Sequence, residues 1–189
     1  MLDTAITFLA DEVNVFFQKR TGTGTYKVAP GGLANDTGTW AFAEGNIRLA
    51  LVNVEEERIM RSQLPERVYV NGQHIVLQPE LKLNLTVMFA ARFNKYEDTL
   101  RYLSHIMTFF QAHPTFTPDE YPGLDPRIAK LNVELLSLSS EQLNQMWAYI
   151  GTKYLPSVAY RVRMVRLQDV EPMGIGQPIT QIHAELHDK

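Results

Sequence analysis

Catalysis, if the chain performs it, should show first in its histidines, serines and glycine-rich turns. The histidines are His74, His105, His113, His183 and His187. His183 and His187 would share one helix face with Glu185 between them. A zincin-type metal site needs an acid directly after the first histidine, and the order His-Ala-Glu-Leu-His lacks it. These two residues read as part of a polar tail. His105 falls inside a helical stretch, off its apolar stripe, and reads as a surface or internally satisfied histidine. Gly22-Thr23-Gly24 has half the look of a phosphate loop, but the spacing and the Lys-Ser/Thr that hold a nucleotide are missing. Ser157 stands between Pro156 and Val158, without the flanking glycines of a nucleophile elbow. With no cysteine in the chain, disulfides, thiolate catalysis and zinc–thiolate sites are excluded together. We therefore expect no catalytic residues, no metal and no cofactor. A small α/β transferase is the enzyme alternative, and it would need a polar pocket of converging titratable groups that no spacing here announces.

The charges are more informative. Glu55, Glu56, Glu57 and Arg58 are consecutive, with Arg61 close behind. Three successive acids repel one another, and on a strand they cannot all face one partner. They read either as a solvated strand end or as an acidic edge that meets basic residues of another subunit. Arg161, Arg163 and Arg166 are the candidate partners, in the same chain or the next one. Complementary charge of this kind sets register and partner choice more than affinity.

The elements that carry these residues follow from spacing. Leu2, Ile6, Leu9, Val13 and Phe16 recur at helical intervals, so a helix is predicted from Leu2 to about Lys19. Residues 21–45 are rich in Gly and Thr and read as a long loop or a loose hairpin. It is either a free excursion or an arm that orders against a neighbouring subunit. Alternation of apolar and polar residues predicts strands at Ile47–Val54, Glu80–Ala91, Lys130–Leu136 and Ser157–Leu167, and Arg67–Leu77 reads as a hairpin turning at Asn71-Gly72. A helix at Tyr96–Gln111 carries Tyr96, Leu100, Leu103, Met107 and Phe110 on one stripe. Another at Ser139–Ile150 opens with Ser139 and Gln142 at capping-box spacing and ends at Gly151.

Together these predict an α/β chain of the α+β type. A mostly antiparallel or mixed central sheet of about four to six strands carries three helices packed mainly on one face. Residues 1–167 are expected to form one domain and residues 168–189 an extended arm, because Pro172, Gly174, Gly176 and Pro178 break any regular element there. A length of 189 residues can bury a core without staples. A formal net charge of -3 does not fit a general nucleic-acid binder. No apolar run is long enough to span a membrane and no signal peptide is apparent, so synthesis and folding in the cytoplasm are expected.

Four stretches in order carry a resemblance. They are Leu51-Val52-Asn53-Val54-Glu55-Glu56-Glu57-Arg58; Glu80-Leu81-Lys82-Leu83-Asn84-Leu85-Thr86-Val87-Met88-Phe89; Ser104 to Gln111 with Phe116-Thr117-Pro118 and Pro122-Gly123-Leu124-Asp125-Pro126; and Leu138-Ser139-Ser140-Glu141-Gln142-Leu143-Asn144 with Lys153-Tyr154-Leu155-Pro156-Ser157-Val158. Over roughly residues 2–167 the chain resembles the tail-terminator, or cap, family of extracellular contractile injection systems, of the Photorhabdus virulence cassette and antifeeding prophage type. The resemblance implies a non-enzymatic α/β protein. It implies a ring homo-oligomer, a hexamer, that ends growth of the inner tube and anchors the last sheath layer, with sheath and tube proteins as partners and neither nucleic acid nor membrane. Another adaptor of the same particle, for example near the baseplate, is the alternative within this class.

Overall fold

The computed structural model describes residues 1–22, 27–57, 66–70, 73–77, 81–167 and 174–176, with backbone alone for 66–70, 73–77, 81, 165–167 and 174–176. The chain opens with helix α1, Leu2–Thr21, which has Asp3 in its first turn and Lys19 and Arg20 in its last. Both placements complement the helix dipole. Gly22 closes it at φ 66, a left-handed conformation that glycine adopts without penalty.

A six-stranded sheet follows, in the spatial order β1-β2-β5-β8-β7-β6. Its strands are β1 (Val28–Pro30), β2 (Asn46–Glu56), β5 (Leu81–Arg92), β6 (Thr115–Phe116), β7 (Lys130–Leu135) and β8 (Ser157–Leu167). All neighbours are antiparallel except β1 and β2, so the sheet is mixed, as predicted. A separate three-stranded sheet pairs β3 (Glu66–Val70) with β4 (Gln73–Leu77), and β4 with β9 (Gly174–Gly176). The hairpin expected at Arg67–Leu77 is therefore present, while its turn at Asn71-Gly72 lies outside the described residues. So does the expected C-terminal arm, apart from β9.

Helices α1 and α2 (Tyr96–Ala112) cover one face of the large sheet. Their apolar sides meet Ile47, Leu49, Leu85, Val87, Phe89, Leu131 and Val162 in the main core. Aromatic rings fill its centre: Phe110 lies 4.8 Å from Tyr160 and Phe8 lies 5.5 Å from Phe116. The ring of Tyr160 is buried and its hydroxyl finds no hydrogen-bond partner among the described residues, so burial pushes its pKa upward.

The third helix does not join the other two. Helix α3 (Ser140–Ile150) lies on the opposite face, where Trp147 packs with Met88, Ala90, Ala50, Leu33, Phe42 and Leu155 in a second, smaller core. The reason is visible in β5. Its first half alternates, with Lys82, Asn84 and Thr86 half-exposed, but Val87 to Ala91 are all buried, so that half is covered on both faces. The capping box predicted for α3 is complete. The Ser139 hydroxyl accepts from the Gln142 amide N–H, the Gln142 side chain accepts from the Ser139 N–H, and Gly151 closes the helix at φ 73.

The long loop supplies the rest of the second core. From residue 27 onward it folds back on its own sheet; residues 23–26 lie outside the described residues. Asn14 of α1 is buried, accepts from the backbone N–H of Lys27 and Val28 at 2.9 Å each, and donates to Val28 O at 2.8 Å. These bonds fasten β1 to α1. Arg48 donates to Pro30 O and Ala41 O, and Arg92 to Phe42 O, so two guanidinium groups tie the returning loop down.

Candidate functional site

The outer half of the large sheet, beyond α3, carries a polar face on which no helix lies among the described residues. Cross-strand pairing sets its rows. One row runs Asn53, Thr86, Arg161, Glu134, and the next Glu55, Asn84, Arg163, Asn132. Arg163 pairs with Glu134 at 3.2 Å. Asn84 donates to Glu57 at 3.0 Å, and Asn53 donates to Glu55 at 2.8 Å.

The sequence-predicted charges divide as strand geometry demands. Glu55 and Glu57 point to this outer face, while Glu56 stands opposite Leu83 on the helix face. Arg161 and Arg163 share the outer face with Glu55. Glu55 and Arg163 stand in one row, yet Asn84 of β5 separates them by two strand spacings, roughly 9–10 Å. The fold thus gathers Glu55 and Glu57 onto one surface with Arg161 and Arg163, and on that surface Arg163 closes its ion pair with Glu134 of β7. Arg166 belongs to β8, but its side chain, like all of Arg58 and Arg61, lies outside the described residues.

Beside this face, β2 has an open edge. β1 pairs only with Ile47–Leu49, and among the described residues nothing pairs with that side of β2 from Ala50 to Glu56. A bulge falls between Leu51 and Asn53. Bulges and charges are how exposed strands resist uncontrolled pairing, and β2 has both. At its root a groove of about 450 Å³ is lined by Leu2, Ile6, Pro30, Leu49 and Leu51.

The helices add a surface that the sequence reading took for core. In α2 the buried residues are Thr99, Leu103, Ile106, Phe109 and Phe110. Tyr96, Leu100 and Met107, predicted to face inward, are instead exposed by 65%, 44% and 39%. With Leu103 and Phe110 correctly placed, the predicted stripe was rotated toward the flank of the helix.

Among the described residues, the side chains of His105 and His113 stand apart from one another and from any carboxylate pair. His105 sits in the seam between α1 and α2 against Phe17 and Tyr102, and burial, then Arg20 and Arg101, hold its pKa down. His113 Nδ1 and the Tyr121 hydroxyl are 3.1 Å apart. The side chain of His74 and both tail histidines lie outside the described residues. Two further hollows, of about 370 and 320 Å³, share Glu44 and Phe93, and neither includes a histidine. Among the described residues no group of His, Asp or Glu could hold a metal ion, and no helix is long and apolar enough to cross a membrane.

The sequence matches the family described as the Pvc16 N-terminal domain over residues 4–181. The chain belongs to the Pvc16 N-terminal domain family. The resemblance carried by the four stretches between Leu51 and Val158 is therefore correct. Two solved structures share the fold of this Pvc16-type domain. One is the sheath/tube terminator of an extracellular contractile injection system in the extended state, at 13% identity and a TM-score of 0.59, covering 95% of this chain. The other is the tube-terminating cap of the anti-feeding prophage, at 10% identity and a TM-score of 0.59, covering 93% of this chain. The Pvc16-type domain spans 63% and 59% of those two chains. No curated protein matches the sequence.

Proposed function

We propose that this chain is a structural cap of a phage-tail-like contractile injection particle. In this reading it forms a ring, a homohexamer, that ends tube growth and anchors the last sheath layer, and it catalyses nothing. Residues 1–167 act as the terminator domain and residues 168–189 as an arm. The chain assembles in the bacterial cytoplasm and becomes part of the particle. One observation carries the proposal: the family match over residues 4–181 coincides with a fold shared by two terminators of such particles. The surface agrees in one respect: among the described residues β2 has an unpaired edge from Ala50 to Glu56, and an exposed strand edge is a surface that another chain can pair with. Glu55, Glu56, Glu57, Arg58, Arg61, Arg161, Arg163 and Arg166 contribute to those contacts.

The test is direct. Gold-labelled protein on intact particles is expected at the tail end distal to the baseplate, and particles assembled without it should carry tubes of uncontrolled length. Label confined to the baseplate would replace the cap with an adaptor. Turnover of a small substrate by the purified chain would remove the non-enzymatic reading.

A further inference from the structure

Among the described residues nine large apolar side chains are exposed; Val15, Tyr149 and Tyr154 stand apart, and the others gather on β2, β7 and α2. Leu51 and Val54 of β2 are exposed by 39% and 41%, and Leu135 of β7 by 54%. Cross-strand pairing places Leu51 opposite Val87, Val87 opposite Tyr160, and Tyr160 opposite Leu135. One lateral row on the helix-covered face therefore begins and ends with an exposed leucine, with two buried residues between them. At that level both edges are open among the described residues. β1 stops level with Leu49, and β6 reaches only Leu131 and Asn132.

The flanks continue each end. At the β2 edge the groove of Leu2, Ile6, Pro30 and Leu49 adjoins Leu51. Helix α2 also meets β7, and its exposed Leu100 and Met107 lie on the side of the helix turned away from α1. Tyr102, His105 and Phe109 face α1, through Phe16 and Phe17. The charges also differ by edge: Glu55 is exposed on β2, and Lys130 is exposed on the same outer face of β7, two residues from the Glu55 row. Strand sense alternates from β2 through β5 and β8 to β7, so a copy set beside another would present β7 to β2 in antiparallel sense.

From this register we infer that the occupant of each edge is a second copy of this chain, docked head to tail. Leu135 and the α2 flank of one subunit cover Leu51, Val54 and the groove of the next. The two patches are different surfaces, so the contact is heterologous, the kind that repeats around a ring when its rotation closes. The inference rests on the ring in the proposed function and names the surface that makes it.

Because the chain has no native cysteine, introduced ones report the contact cleanly. Leu51→Cys and Leu135→Cys are made singly and together, and oxidised at protein concentrations where native mass spectrometry shows the wild-type assembling, alone or with tube and sheath subunits. Mixed single variants should give one cross-linked dimer and nothing larger. The double variant should give a ladder up to the closed ring, and each single variant alone should stay uncross-linked. Dimers of either single variant alone would mean a symmetric contact and overturn the inference. So would absence of cross-links while native mass spectrometry still shows multimers, an outcome that leaves the cap reading standing. A chain that stays monomeric even with tube and sheath subunits would remove the ring and the inference together. A second pair guards against misfolding at the leucines. Glu55→Lys and Lys130→Glu should each raise the concentration for half-assembly by about tenfold, and mixing or combining them should recover most of it. Equal loss in the combined variant would count against the pairing.

Discussion

Single residues hold this fold at points that no periodicity reveals. Asn14 lies on the buried side of an otherwise apolar helix face, and its amide makes three bonds to the backbone of residues 27 and 28. Asn14→Leu leaves those backbone groups without partners in the core, at about 1–3 kcal/mol for each group stranded. Chemical denaturation should show a loss of at least ~2 kcal/mol, and hydrogen exchange should show β1 opening ahead of the rest of the sheet. Asp125 is a second such point. It accepts from the Arg127 guanidinium at 2.6 Å, from the Arg127 backbone N–H at 3.0 Å, and from Thr4 of α1 at 3.3 Å. The bonds from Arg127, with a lesser one from Thr4, hold its carboxyl far below the usual carboxylate range. A depressed folded pKa adds stability that is complete above the unfolded value, near 4, and is lost as pH falls below it. Melting temperature followed from pH 6 to pH 2 should therefore drop less steeply in Asp125→Asn than in the wild-type. Tyr160→Phe is the converse case. Removing a buried hydroxyl that bonds to nothing among the described residues should leave stability unchanged or raised, as read by thermal unfolding.

At the scale of elements, most boundaries follow from sequence signals. The strand predicted at Ser157–Leu167 has those ends, and the capping box at Ser139 marks the start of α3. Ser139→Ala should cost about 1 kcal/mol by denaturation. Trp147→Ala should cost ~3–5 kcal/mol and loosen the second core first, visible as early exchange in α3 and in residues 33–42. What sequence did not disclose is which face α3 covers. An amphipathic helix announces that it has an apolar side, and the sheet must say where that side goes. The sign was the run from Val87 to Ala91, buried on both faces where the first half of β5 alternates. Helix α2 was misread for the opposite reason. It carries apolar residues on more than one side, so spacing alone could choose Tyr96, Leu100 and Met107 as easily as Ile106 and Phe109. The stripe left exposed on α2 is the one that the inference above assigns to a neighbouring copy.

The whole molecule separates its charged surface from its apolar seam. The candidate contact residues were legible as a cluster, since Glu55 to Arg58 are adjacent in sequence, but their common row with Arg163 exists only after three strands are paired. The leucine row is likewise a product of register and invisible along the chain. The separation has a kinetic consequence. Between 50 mM and 500 mM salt, screening should slow association of subunits several-fold, because complementary charges steer encounters. The size of the assembled particle should hold, because apolar burial is little weakened by salt. Stopped-flow light scattering with native mass spectrometry separates the two quantities. Dissociation at high salt would put the charges, and not the leucines, at the heart of the contact.

The bulge in β2 gives that strand one unit of slack. Leu51 still pairs with Val87 and Asn53 already pairs with Thr86, so Val52 is the supernumerary residue between two correctly matched segments. Excising it would straighten the strand and leave the acids opposite their present neighbours, at the loss of a side chain packed on the second core. Excising Leu85 from β5 would turn every later side chain of that strand to the wrong face. The edge that carries the acids is therefore a place in this sheet where chain length can change by one without disturbing the leucine row.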